Sequence, residues 1–231
     1  MIGFYDYTVV LTYLSLVSAI FGVGFSLTEH PFFATGCLLF CGLCDMFDGK
    51  VARTKRNRTE DEKSFGIQID SLCDVVAFGV LPAVIFLKLT AGNPASWPVA
   101  ALYVLAGLIR LAYFNVTEEL RQKETDECRK TYSGLPITSA ALIFPLIYCI
   151  TAVICVCRFG TVLPFREMFG CSVYGILLCV LTALTGLCFV LPIKIRKPRG
   201  KELWLMLGAG LVIAAALALT IHLSIVRMSG V

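Results

Sequence analysis

The 231 residues are 58% hydrophobic and only 16% charged, with a mean hydropathy of +0.82. A water-soluble domain of this length cannot enclose so much apolar side chain, so the sequence is read as an integral membrane protein. The apolar residues run in long unbroken stretches, not alternating ten-residue segments, which excludes a transmembrane β-barrel and leaves helices. The net charge of +4 says little until the charges are placed between the spans.

Seven spans are expected, at residues 8–27, 31–51, 67–89, 98–116, 135–157, 171–193 and 203–226. The first has no basic leader and no small-residue cleavage site, so it is read as a span and not as a signal peptide. The connections alternate in character. His30, Gly92-Asn93-Pro94 and residues 158–170 form short or weakly charged turns, whereas 53–63 (RTKRNRTEDEK), 121–130 (RQKETDECRK) and 194–201 (KIRKPRGK) are basic. All three basic loops fall on one side of a seven-span arrangement, and the positive-inside rule assigns that side to the cytoplasm. The N-terminus is then cytoplasmic and the C-terminus external. No internal repeat or soluble domain is visible, so the whole chain, 1–231, is taken as one membrane-embedded domain.

Eleven cysteines invite a disulfide reading, but most lie within apolar runs and serve there as small fillers. Cys41 and Cys44 form a CxxC without a second pair, and with two histidines in the chain a zinc site is not expected.

The acidic residues of the stretch CDMFDGKVARTKRNRTEDEKSFGIQIDSLCD, residues 44–74, carry the chemistry. Asp45 and Asp48 are one helical turn apart at the end of the second span; Asp70 and Asp74 are one turn apart at the start of the third. Adjacent antiparallel helices bring these four carboxylates together just inside one membrane face. Ionisable residues there are functional candidates, and carboxylates with no histidine or thiolate partner suit hard, oxygen-preferring divalent ions. Gly49, Ala52 and Gly66 leave room beside them. Arg53 offers a planar cation suited to phosphate oxygens. Together these are the parts needed to hold a diphosphate.

The pattern Asp45-x-x-Asp48-Gly49-x-x-Ala52-Arg53 … Gly66-x-x-x-Asp70-x-x-x-Asp74 resembles the signature of the CDP-alcohol phosphatidyltransferases, membrane enzymes of phospholipid synthesis. One departure is the twelve residues Thr54 to Phe65 between Arg53 and Gly66, all but the last of them polar, longer than the family's usual spacing and read as an extended turn. Three further stretches, FGIQIDSLCDVVAFGVLPA (65–83), RLAYFNVTEE (110–119) and YSGLPITSAA (132–141), resemble the bacterial phosphatidylserine synthases.

The resemblance implies an all-α, polytopic fold: a six-helix core at about 5–195 with a seventh transmembrane helix at 203–226. It also implies transfer of the phosphatidyl group of CDP-diacylglycerol to the hydroxyl of L-serine, giving phosphatidylserine and CMP, in a homodimer in the plasma membrane with the site at the cytoplasmic face. Partners are then these substrates and membrane lipids, with no nucleic acid. By the same resemblance Asp45, Asp48, Asp70 and Asp74 bind two divalent ions, Mg²⁺ or Mn²⁺, and Asp74 also acts as the catalytic base. Asp45, Asp48, Gly49, Ala52, Arg53 and Gly66 hold the nucleotide and diphosphate. Arg110, inside the fourth span, is a candidate for the acceptor's carboxylate or the substrate phosphate, with Asn115 and Thr138 as further acceptor-binding candidates. Each has a structural alternative in an ion pair or a helix-end hydrogen bond. The same signature also serves transfer to glycerol phosphate or inositol phosphate. A cation transporter is a weaker reading, because the acidic residues cluster at one face and not at the midplane.

Overall fold

In a bilayer every backbone polar group must be satisfied within the protein, and these apolar runs meet that demand as helices. The computed structural model describes residues 3–4, 6–55, 57–90, 92–124, 131–159, 172–196 and 201–228. It contains α1 (Val10–Leu27), α2 (Pro31–Ala52), α3 (Glu60–Asp74), α4 (Leu81–Leu89), α5 (Ser96–Glu124), α6 (Ala140–Phe159), α7 (Ser172–Val190) and α8 (Lys201–Met228). Single turns of 3₁₀-helix precede α1 and α6, and a π-helical segment, Val75–Val80, joins α3 to α4 into one continuous crossing. Among the described residues six helical stretches are long and apolar enough to cross a membrane, and Gly175–Val190 is a shorter apolar helix. The chain is therefore a polytopic membrane protein.

The expected spans are all helical, but three details differ from expectation. The fourth span does not stop at 116: α5 continues to Glu124, because Glu118 to Glu124 are mostly polar but good helix formers, and Arg121 pairs with Glu118 at 2.6 Å, one turn back. The polar stretch before Gly66 is not all turn. Thr59 accepts a hydrogen bond from the Glu62 N–H, the Glu62 carboxylate accepts from the Thr59 N–H, and α3 starts at Glu60. This reciprocal capping box converts half of the extended turn into helix. The third difference is a two-stranded antiparallel pairing of β1 (Thr131–Ser133) with β2 (Lys194–Arg196). It joins two basic loops, 121–130 and 194–201, both of which extend outside the described residues, as do most of 158–170.

The crossing formed by α3, the π segment and α4 is the centre of the molecule, with 61% of its apolar window buried against 17% for Glu202–His222 of α8. It packs against α1, α2 and α5, while α7 lies along α5 and α8 along α6 and α2. Close approaches replace large interdigitating side chains at several crossings. A Cβ on Gly42 would lie 2.5 Å from that of Ala141, and one on Gly186 would lie 3.2 Å from the Tyr103 Cα. Gly134 has φ +82, and a Cβ there would meet the Phe189 carbonyl at 2.7 Å. Only glycine fits this turn, where the Gly134 and Leu135 N–H groups donate to the Ile193 and Cys188 carbonyls.

The π segment has a traceable cause. Pro82 has no N–H to give to the carbonyl four residues earlier, that of Phe78, and the fully buried Tyr103 donates its hydroxyl to that carbonyl at 2.7 Å. The wide turn begins immediately after Asp74 and is pinned by α5 through this bond. Wide turns of this kind recur at functional sites. The Tyr103→Phe protein is expected to lose about 1–3 kcal/mol through the unsatisfied buried carbonyl, read as a lower melting temperature in detergent; an unchanged melting temperature would contradict this account.

Candidate active site at the facing ends of two helices

The last turns of α2 carry Asp45 and Asp48, and α3 carries Asp70 and Asp74, the final residue before the π segment. Spacings of three and four place each pair on one helix face, and the antiparallel contact of the two crossings brings the pairs together. The Asp48 and Asp70 carboxyl groups face each other across the two helices, and all four carboxyl groups are close enough to act on one another electrostatically. Asp74 is 8% exposed; Asp45, Asp48 and Asp70 are half-buried.

Carboxylates this close repel one another unless a cation or proton lies between them. No basic side chain does so among the described residues: the ion pairs formed there involve none of the four. Lys50, on the same helix, turns its Nζ over the Phe47 ring at 4.8 Å from the centroid. The donor set of four carboxylates fits a hard divalent ion. Among the described residues no three histidine, cysteine or acidic side chains surround a single point as a finished ligand shell. The four side chains are gathered near one another without forming a finished ligand shell.

Around this group the other sequence-derived candidates separate. Gly49 faces open space, with no atom within 4 Å of where a Cβ would stand. Ala52 is half-buried and Arg53 is exposed at the C-cap of α2. The space over Gly66 is filled by the Arg58 guanidinium, whose Nη2 would be 2.5 Å from a Gly66 Cβ. A cleft of about 250 Å³ between α3 and α5 is lined by Asp70, Ser71, Asp74, Phe114, Asn115 and Glu118, with Ile67 and Leu111. Asn115 therefore lies beside the third and fourth aspartates, its Nδ2 donating to Ser71 Oγ at 2.8 Å.

Arg110 and Thr138 stand apart from this cleft wall. Arg110 is 6% exposed; its Nε donates to the Leu135 carbonyl at 3.3 Å, and its Cζ lies 5.5 Å from the Phe114 ring centroid. It ties α5 to the Gly134–Leu135 crossing at the end of α7 and supports Phe114, which lines the cleft. Thr138 is half-buried in the 3₁₀ turn before α6.

The N-terminal segment, which the sequence did not connect to the site, straps the turn between α2 and α3. The Phe4 and Phe65 rings meet edge-on at 5.7 Å, and the Tyr7 hydroxyl lies 3.0 Å from Thr54 Oγ1. Lys55 Nζ bridges Asp6 at 2.9 Å and Glu62 at 3.1 Å. The hydrogen bond to Lys55 holds the Asp6 carboxyl below its ordinary range, and Asp6 and Glu62 hold Lys55 above its own. The Asp6 contribution is therefore lost only as pH falls through that lowered value, and the Lys55 contribution only as pH rises through its raised one, so the strap is closed throughout the neutral range.

The Thr59-x-x-Glu62 spacing carries a helix-start signal that the reading of this stretch as a turn passed over. Arg58, Ser71, Glu118 and the strap had no comparable signal, because each depends on a partner distant in sequence or on the burial of a turn.

The chain is 37% identical over 131 residues to a CDP-diacylglycerol–serine O-phosphatidyltransferase of Saccharomyces cerevisiae, covering 54% of this chain and 46% of that protein. It is 32% identical over 136 residues to one from Helicobacter pylori, covering 58% and 52%. An archaetidylserine synthase of Methanothermobacter thermautotrophicus is 37% identical over 112 residues, covering 48% and 44%. The matches thus span about half the length of these curated relatives. The profile of the CDP-alcohol phosphatidyltransferases, by contrast, matches residues 8–229, nearly the whole chain including all four aspartates, and the chain belongs to that family.

Proposed function

We propose that the protein transfers the phosphatidyl group of CDP-diacylglycerol to the hydroxyl of L-serine, producing phosphatidylserine and CMP. The observation that carries this reading is the convergence of Asp45, Asp48, Asp70 and Asp74 at the facing ends of α2 and α3, with the α3–α5 cleft opening onto two of them. Relatives that bear the name of the serine reaction support the acceptor.

The four aspartates would hold divalent ions, Mg²⁺ or Mn²⁺, whose chemistry is to neutralise the diphosphate and stabilise charge on the attacking and leaving oxygens. The chain's own residues supply the remainder. Gly49 and Ala52 leave room for the nucleotide, and Arg53 lies close enough in sequence to turn toward the diphosphate from the end of α2. Asp74, buried at the inner end of the cleft, accepts the proton of the serine hydroxyl as its oxygen bonds to the lipid-bearing phosphorus and CMP departs. Asn115, held by Ser71, orients the acceptor beside it.

Among the described residues the lining of the cleft includes no lysine or arginine, so it offers no side-chain cation of its own for the phosphate of a phosphorylated alcohol. Arg110 serves the acceptor indirectly in this reading, by fixing Phe114 and the Leu135 crossing.

Membrane placement follows from which ends meet. Glu29 and Lys88 pair at 2.8 Å at one end of the bundle. The N-terminal strap, the α2–α3 turn with Arg53, Lys55 and Arg58, and the β1–β2 pairing gather at the other. The basic end, with the aspartates beside it, is the cytoplasmic one in this reading, and the plasma membrane is the proposed location. A homodimer, implied by the family resemblance alone, belongs to the same proposal.

In detergent, the purified protein with CDP-diacylglycerol and Mg²⁺ or Mn²⁺ is expected to release CMP when serine is added, but not with glycerol phosphate or inositol phosphate. Release with glycerol phosphate alone would overturn the acceptor assignment. Chelation should abolish turnover and readdition of the ion restore it. Asp45→Asn and Asp70→Asn should each lower kcat about 10²-fold or more, the scale of losing one preorganised electrostatic group; full turnover in either variant contradicts the ion-binding role. Asn115→Ala is expected to raise the KM for serine about tenfold, the scale of a lost hydrogen bond to a charged group, with the KM for CDP-diacylglycerol unchanged.

A further inference from the structure

Arg58 lies in the polar stretch that lengthens the connection between Arg53 and Gly66, and the structure gives it a position that a solvated turn residue would not take. Its guanidinium rests on the bare backbone of Gly66, with Nη2 2.5 Å from where a Cβ would be. Nη2 donates to the Glu62 carbonyl at 3.0 Å. Nε is buried and has no hydrogen-bond partner among the described residues. The nearby carboxylate of Glu62 is not its counter-ion: Oε1 is taken by Lys55 and Oε2 by the Thr59 N–H. The result is a partly buried cation with an unmet donor, which is costly unless an anion completes it.

The position of that cation identifies the anion. Gly66 and Asp70 are four residues apart on α3, so the backbone that the guanidinium covers lies one helical turn from Asp70 on the same side of the helix. It lies toward the turn, away from the hydrocarbon interior. A ligand bound at the aspartates through a diphosphate, with its lipid directed inward, would extend its nucleotide half outward past Gly66. An arginine fork matches phosphate oxygens in geometry and charge.

We propose that Arg58 is a substrate-binding residue that grips the nucleotide-side phosphate of CDP-diacylglycerol, the phosphate that leaves in CMP. Gly66 is bare because any side chain there would displace the guanidinium. This rests on the reading of the aspartate group as a CDP-diacylglycerol site and adds a binding contact from outside the aspartate signature.

The test measures CMP binding to the full-length protein in detergent with Mg²⁺ by titration calorimetry, together with KM values for both substrates. Arg58→Gln should weaken CMP binding about tenfold or more, as for a lost charge-assisted hydrogen bond, and raise the KM for CDP-diacylglycerol in parallel without changing that for serine. Arg58→Lys should recover part of the loss, which a purely structural role would not predict. Gly66→Ala should weaken CMP binding similarly and cause no further loss when combined with Arg58→Gln, since both remove the same contact. Wild-type CMP affinity in Arg58→Gln overturns the proposal, as does a rise in the serine KM alone, which would assign Arg58 to the acceptor's carboxylate. If the wild-type protein itself neither binds CMP nor releases it from CDP-diacylglycerol, the underlying reading of the site falls as well. Melting temperatures of the variants separate loss of contact from loss of fold.

Discussion

Four carboxylates held together at one end of two antiparallel helices are the constraint on which the rest of the molecule depends. Their mutual repulsion, in a partly buried setting with no basic side chain between them among the described residues, opposes folding unless the surrounding structure imposes it. The imposition is visible on every side. α1 and α2 form a close hairpin with side chain to backbone contacts across it, Ser18 to the Cys37 carbonyl and Cys41 to the Ser15 carbonyl. Among the described residues, the α3 crossing is the most enclosed of the six long apolar crossings. The turn between them is capped by Thr59 and Glu62 and strapped by Asp6, Tyr7 and Lys55. The fold holds an unfavourable local arrangement in place, and under the proposed function bound divalent ions would offset its repulsion.

The same logic explains the divided character of the α3–α4 crossing. Its outer half is polar and carries the site, while its inner half is apolar and packs on α1, α2 and α5. The π turn lies at the junction and changes the helical phase, so Asp70 and Asp74 can face the cleft while the residues beyond serve the core. Tyr103 and Pro82 fix where that change occurs. A residue on α5 therefore positions the site without touching it, and α5 also supplies the opposite wall of the cleft through Phe114, Asn115 and Glu118.

Much of this was readable from residue types and spacing, for physical reasons. Hydropathy marks spans because lipid permits little else, and the aspartate pairs were recognisable because helical geometry makes spacings of three and four equivalent to contact. Gly49 could be read as making room, and it does face open space. What was not legible depended on contacts between distant segments. The β1–β2 pairing joins residues 131–133 to 194–196, short polar stretches with no alternating pattern of their own. Arg110 was identified as an expensive intramembrane cation, but only the fold reveals the Leu135 carbonyl it meets. Arg58 looked like one of several charges in a turn, and its burial against Gly66 follows from the capping box, which shortens the turn and folds it back on α3.

The central claim is that the aspartate group binds a divalent ion that in turn holds a nucleotide phosphate. Electron paramagnetic resonance of Mn²⁺ bound to the purified protein tests this most directly, with CMP supplying a phosphorus nucleus. The account predicts tightly bound Mn²⁺ in the wild-type protein with a phosphorus coupling that appears on addition of CMP, and loss of the bound signal in Asp45→Asn and Asp70→Asn. Bound Mn²⁺ that is unchanged in both variants, or that shows no phosphorus coupling at saturating CMP, would contradict it.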